Sequence, residues 1–330
     1  MPMTTANGVD LHYELDGDGE DTIVMINGLA DDLETWVLQM EDFLGAGYRI
    51  LRIDNRGVGK SSAPPGPYTS RMLADDAKAV VDELGLTGFH LMGTSMGGMI
   101  AQEYAINHGG DLKTAMFSST YAAPGPFCSR MFSMWHDMAT ITGVPFIMRD
   151  VTLWAFTQEF FWEREDELKE FEMEMAGLPM SVEAYLAQLN VIQKHDTTDR
   201  LDRIQGYPVL VMAGEEDILI PTSLSKKLHE SLPEADWATS KGGHASMWEH
   251  PADFNRTYLG WLGEHRAEAR GAERQGAEPG GARHERAARD VAAQETPGQT
   301  FRPLFLVVAL HVSPSLPLSG ARRAIPGTCG

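Results

Sequence analysis

Cysteine is nearly absent from this chain: Cys128 and Cys329 are the two among 330 residues, and they stand far apart. A disulfide framework needs more cysteines in a much shorter chain, so a reduced, cytoplasmic protein is expected. Positive charge is scarce as well. Lys and Arg total 27 against 47 Asp and Glu, a net charge of −20. Such a field repels a phosphate backbone or an anionic bilayer, which excludes nucleic acid and membrane as expected partners. Long apolar runs are missing too. The longest late one, Leu304 to Leu310, is far short of the ~20 residues of a membrane helix. Met1 to Gly8 has no basic stretch followed by an apolar run, so no signal peptide is expected.

Cofactor signatures also fail. Gly59-Lys60-Ser61 ends like a phosphate-binding loop, but the glycine required five positions earlier is Asp54. Gly57-Val58-Gly59 would need a third glycine at position 62 for a dinucleotide fingerprint, and Ser62 stands there. No metal-ligand spacing is present. Neither a cofactor nor a metal is expected.

What the chain does have is core-forming material, with 43% hydrophobic residues. Its composition changes near Arg266. From Ala267 onward it has Arg but no Lys, a small positive balance, and Ala, Gly, Pro and Gln without apolar periodicity. Residues 267–330 therefore read as a disordered tail, too poor in apolar surface to offset the entropy of ordering. Before that point, short apolar runs alternate with helix-length segments. Thr22 to Ile26, Tyr48 to Ile53, Phe89 to Met92, Lys113 to Phe117 and Pro208 to Met212 are bounded mostly by Gly, Asn or Asp and read as buried parallel strands. Helical patterns such as Arg71 to Leu84 and Met96 to Ile106 lie between them. This alternation predicts an α/β architecture, a mostly parallel central sheet flanked by helices. Gly8 to Glu14 reads as a first strand in an antiparallel pair at the sheet edge. The segment from about Ala122 to Leu201 interrupts the alternation. It is helical in pattern, rich in Met, Trp and Phe on one side and acid on the other, and is expected to be an inserted cap. Residues 1–121 and 202–266 then form the core, and 122–201 the cap.

The strongest chemical signal is Gly93-Thr94-Ser95-Met96-Gly97, directly after a predicted strand and before a predicted helix. Gly-x-Ser-x-Gly in that setting is a nucleophile elbow, a turn so tight that small residues must flank a strained serine. A serine hydroxyl at neutral pH needs an imidazole base, and the base needs a carboxylate to fix its tautomer. Downstream, Pro208 to Met212 runs into Gly214-Glu215-Glu216-Asp217. Asp217, at the carboxyl end of a strand, is the favoured acid, with Glu215 and Glu216 as alternatives in a solvated turn. Gly242-Gly243-His244-Ala245 follows a predicted last strand, and its glycines let the loop carry His244 over the sheet edge. His250 is the rival base. Two backbone amides must also stabilise the oxyanion. Met96, which follows the nucleophile, is expected to supply one and Leu29, in Asn27-Gly28-Leu29, the other, while Asn27 is available to orient that loop through its side chain.

With Ser95, Asp217 and His244 in this order, the chain resembles the α/β-hydrolase superfamily over about Thr5 to His265. Asp54-Asn55-Arg56-Gly57-Val58-Gly59-Lys60-Ser61 is similar to that family's Asp-x-Arg-Gly-x-Gly-x-Ser loop, which is structural. Gln193 to Ile204, leading to Pro208-Val-Leu-Val, with Gly-x-x-Asp and Ile220-Pro221 after it, resembles the cap exit of 3-oxoadipate enol-lactonases. Aclacinomycin-type methylesterases and cofactor-free haloperoxidases share much of this pattern. The chain departs from the family at Asn27, where His usually precedes the glycine.

The resemblance implies an α/β-hydrolase fold with an inserted helical cap and acyl transfer through an acyl-enzyme on Ser95. The expected substrate is a small-molecule carboxylic ester or lactone, neutral or weakly charged and hydrophobic, with Trp135, Met138 and Trp154 of the cap expected to line its pocket. A peroxidase or perhydrolase of the same fold and a ligand-binding receptor on a hydrolase scaffold are the alternatives. A homodimer is left open.

Overall fold

The computed structural model describes residues 2–177 and 179–275, excluding the side chains of residues 174, 176 and 266–275. Most of the tail expected from Ala267 lies outside the described residues. Its first part continues a helix that begins at Pro251 and runs to Gln275.

Eight strands form one sheet: β1 (Met3–Ala6), β2 (Val9–Asp16), β3 (Thr22–Ile26), β4 (Arg49–Ile53), β5 (Phe89–Thr94), β6 (Leu112–Ser118), β7 (Val209–Gly214) and β8 (Asp236–Ser240). Their spatial order is β1-β2-β4-β3-β5-β6-β7-β8. The β1–β2 and β2–β4 pairs are antiparallel and the rest parallel. The edge pair expected around Gly8 is present, although its outer strand, Met3–Ala6, is too short and polar to show in the sequence.

Strands β3 and β7 are buried throughout because both faces of the sheet are covered. The period-2 alternation of a strand divides their side chains between two cores. Val24, Ile26, Leu51, Leu91, Phe117 and Val211 face one, with α2 (Ser70–Glu83) and α3 (Met96–His108). Ile23, Met25, Ile50, Met92, Met116 and Met212 face the other, with Phe43 of α1 (Val37–Gly45) and Phe254, Tyr258 and Trp261 of the Pro251–Gln275 helix.

Between β6 and β7, in the segment expected to be a cap, the described residues form five α-helices: α4 (Pro126–Thr142), α5 (Val144–Ala155), α6 (Gln158–Glu163), α7 (Glu165–Ala176) and α8 (Val182–Lys194). Local signals delimit them. Proline sits in the first turn of α4 and α5, where a missing N–H costs nothing. Thr157 and Ser181 cap α6 and α8 through their side-chain oxygens. After the cap come α9 (Thr222–Glu230), α10 (Ser246–Glu249) and α11 (Pro251–Gln275).

The Asp54 to Ser61 loop locks the sheet to its surroundings. Asp54 accepts from the amides of Leu33 and Lys60 at 2.8 and 2.9 Å and pairs with His12 Nδ1 at 2.8 Å. Gly59 has φ +60°, and a Cβ there would lie 2.2 Å from Asp54 Oδ2. Arg56 makes a two-pronged contact with buried Asp76. These side chains hold the loop in place and are consumed by one another.

Candidate active site

Ser95 sits between the end of β5 and the start of α3 with φ +56° and ψ −120°. That is a left-handed conformation a residue with a Cβ occupies only when its surroundings impose it. The surroundings leave no alternative. A Cβ on Gly93 would lie 2.1 Å from the Gly97 carbonyl oxygen, and one on Gly97 would lie 2.0 Å from the Ile26 carbonyl oxygen. The two glycines of the motif are thus needed for the backbone to close on itself and on β3. The Ser95 amide donates to Ser118 O at 2.9 Å, and Thr120 Oγ1 donates to Ser95 O at 3.0 Å.

Asp217 and His244 are joined. His244 Nδ1 lies 2.8 Å from Asp217 Oδ2, and the other carboxylate oxygen accepts the Ile220 amide at 2.9 Å. Asp217 is 4% exposed. Both residues occupy loops at the carboxyl ends of neighbouring strands, β7 and β8. Ser95, His244 and Leu29 line one cavity with an empty volume of about 850 Å³, solvent at its mouth included.

The oxyanion-loop candidates lie against the elbow. A Cβ placed on Gly28 would be 3.7 Å from Ser95 Cβ. Asn27 occupies the place of the family's usual histidine and supports the loop through its side chain. Its Nδ2 donates to Ile53 O at 2.8 Å and Asp31 O at 3.3 Å, and its Oδ1 accepts Trp36 Nε1 at 2.7 Å. Ala30, at φ +64°, donates its amide to Gln188 Oε1 of α8 at 2.9 Å. Met96 is fully buried at the first turn of α3.

Of the cap residues expected in the pocket, Trp135 lines the cavity, whereas Met138 and Trp154 are not among its lining residues and pack, partly buried, against the hydrophobic core. The indole N–H groups of Trp135, on α4, and Trp154, on α5, both donate to Asp150 Oδ2 of α5, at 2.8 and 3.1 Å. Phe132, Met148, Phe156, Phe171, Met247 and Trp248 are among the residues of the remaining apolar wall.

Two groups were not legible from sequence. Glu249, 4% exposed, accepts the Gly243 amide at 2.8 Å and both the amide and hydroxyl of Thr157, while the Ala245 amide donates to Ala155 O at 2.9 Å. The cap therefore holds the His244 loop from both sides. Asp31 also lines the cavity. Burial, then the neighbouring Asp32 carboxylate, push its carboxyl up to about 7, opposed by His244 and the Gly28 amide. The available signal was the Asp31-Asp32 pair directly after the Asn27-Gly28-Leu29 loop. Among the described residues, no group of three or more His, Cys, Asp or Glu is placed to hold a metal ion.

A parallel sheet with this strand order, a strained serine elbow after β5 and an acid–histidine pair after β7 and β8 define an α/β-hydrolase. The chain belongs to the alpha/beta hydrolase fold family, whose sequence model matches residues 21–251. It is 30% identical over 267 residues to a protein of Caulobacter segnis that carries the name carbamate hydrolase RutD, covering 79% of this chain and 99% of the relative. It is also similar to the crystal structure of the enol-lactonase from Burkholderia xenovorans LB400, with a TM-score of 0.73, 26% identity, and 79% and 99% of the two chains covered. A thermophilic esterase from Thermogutta terrifontis, at TM-score 0.71, 23% identity and 80% and 97% coverage, shares the fold. Among the described residues, no helix is long and apolar enough to cross a membrane.

Proposed function

We propose that the protein is a cofactor-free serine hydrolase that cleaves a carboxylic ester or lactone of a largely hydrophobic small molecule. The observation that carries this reading is the 2.8 Å contact between His244 Nδ1 and Asp217 Oδ2 at the cavity that also holds the strained Ser95. With Nδ1–H donated to the carboxylate, Nε2 keeps its lone pair and serves as general base. Ser95 Oγ attacks the carbonyl as His244 takes its proton. The backbone amides of Leu29 and Met96 receive the developing oxyanion. The imidazolium then protonates the leaving alcohol, and water, activated by the same imidazole, resolves the acyl-enzyme. The named activities of the relatives, enol-lactone and carbamate hydrolysis, both begin with attack on a carbonyl.

The test is labelling of the protein with a fluorophosphonate, followed by turnover on p-nitrophenyl esters of graded chain length and on panels of lactones and carbamates. Stoichiometric label on Ser95 with steady ester or lactone turnover is the expected result. A label without turnover would identify a receptor on a hydrolase scaffold. Turnover that requires hydrogen peroxide would identify a perhydrolase.

A further inference from the structure

Apart from His244, Asp31 is the one titratable residue on the cavity wall among the described residues, and it lies beside Ser95. Asp31 Oδ2 and Ser95 Cβ both fall within 4 Å of the point a Cβ on Gly28 would occupy. Among the described residues, no lysine or arginine lines the cavity. The titratable groups acting on Asp31 are Asp32 on its own loop and His244 on the same cavity wall; the described lining residues from α4, α5, α7 and α8 bring none. A second feature shares this space. Phe156, Phe171 and Trp248 form a three-ring cluster on the cavity wall, with centroids 5.6 Å apart for Phe156–Phe171, 5.0 Å for Phe171–Trp248 and 6.3 Å for Phe156–Trp248. Trp248 Nε1 donates to Thr35 O at 2.8 Å, which fixes the cluster to the segment that carries Asp31.

Aromatic faces with one carboxylate and no competing cation attract a poorly hydrated cation. A neutral apolar ligand makes use of the rings but gives the partly desolvated Asp31 carboxylate, held by the Gly28 amide, no opposite charge to face. An anionic ligand is repelled by it. The chain's net charge of −20 draws cations in the same direction over longer range.

We propose that the site selects an ester or lactone bearing an alkylammonium or quaternary ammonium group, held between the Asp31 carboxylate and the Phe156, Phe171 and Trp248 rings. This rests on the serine-hydrolase reading above. It makes Asp31 a specificity-determining residue and narrows the substrate from a hydrophobic ester to an amphipathic cationic one.

The experiment compares two esters of equal shape, p-nitrophenyl 4-(trimethylammonio)butyrate and its neutral carbon isostere p-nitrophenyl 5,5-dimethylhexanoate, on the full-length protein at pH 8.5. The ratio of their kcat/KM values is read for the wild type and for Asp31→Asn. The wild type should favour the cation by about tenfold, and Asp31→Asn should bring the ratio close to one. A wild-type preference for the neutral ester, or a ratio unchanged by Asp31→Asn, overturns the proposal. Should the variant not fold, the wild-type ratio at pH 5.5 and 8.5 decides instead: it falls at acid pH if Asp31 carries the selectivity and stays constant if it does not. Hydrolysis of the neutral ester with Ser95 labelling but no cation preference removes this inference alone. Absence of both labelling and turnover removes the hydrolase reading as well.

Discussion

Gln188 of the cap accepts the Ala30 amide at 2.9 Å and donates to Arg56 O at 2.8 Å, tying the loop beside Ser95 to helix α8. Gln188 is fully buried, and Ala30 sits in the left-handed region at φ +64°. One cap side chain thus holds the backbone that follows Leu29.

Gln188→Met keeps the volume but leaves the Ala30 N–H and the Arg56 C=O without their partners. Stability should fall by about 1 to 3 kcal/mol. If the loop supplies an oxyanion donor, kcat should fall more than KM rises, because the interaction matters in the transition state. Thermal unfolding and steady-state kinetics on the same preparation separate the two effects. A lower Tm with unchanged kcat would show that the loop keeps its geometry without Gln188.

Ser95→Ala and His244→Ala should each lower kcat by about 10⁴-fold or more, and the double variant should be scarcely worse than either one. Multiplying losses would show that the two residues do not act as one unit. Asp217→Asn should cost about 10³ to 10⁴-fold by allowing the wrong imidazole tautomer. A silent Asp217→Asn beside a damaging Glu216→Gln would reassign the acid.

Asp31 makes stability depend on pH. Its carboxyl is raised from 3.8 to about 7 in the folded protein. Between these values the folded state holds a proton that the unfolded chain has released, so this contribution is fully present below pH 3.8 and is lost as pH rises through 7. Asp31→Asn removes the burden of the buried anion. Denaturant titrations should find the variant more stable than wild type at pH 8.5, by on the order of 2 to 4 kcal/mol, with the gap closing at pH 4. Equal wild-type and variant stabilities at pH 8.5 would place the Asp31 carboxylate in water.

Trp135 and Trp154 share the Asp150 acceptor, yet only the former lines the cavity. Trp135→Ala should shift preference toward longer acyl chains and lower stability by about 3 to 5 kcal/mol. Trp154→Ala, at a half-buried position, should lower stability by less and leave chain-length preference in place. A chain-length series of p-nitrophenyl esters read beside thermal unfolding checks both; a preference shift in Trp154→Ala would extend the pocket behind α5.

Much of the fold was legible because buried parallel strands announce themselves as short continuous apolar runs. Five of these, from Thr22–Ile26 to Pro208–Met212, coincide with strands to within two residues at either end. The outer edge strand Met3–Ala6 was not legible, since one solvated face leaves a four-residue segment without an apolar signature. Met138 and Trp154 illustrate a different limit. Aromatic and Met side chains in a helical segment look alike in sequence whether they line a cavity or pack against one another, and only the packing of the helices in space separates them.

The sequence by itself determined the elbow. Gly93, Gly97 and the serine between them are local, and the close approach of Gly93 to the Gly97 carbonyl acts within five residues, while Gly97 also meets the distant Ile26 carbonyl of β3. It also determined the α/β alternation, because strand and helix periodicities are local properties. Only the tertiary structure decided that Asp217 and His244, on the ends of adjacent strands, meet at 2.8 Å, and that Gln188 and Glu249 join the cap to the loops around Ser95 and His244. It alone placed Asp31 in an apolar cavity with His244. Those relationships span up to about half of the chain, and a carboxylate's environment is set by what surrounds it in space. Burial and charge at such a point are sums over distant residues, which no local pattern encodes.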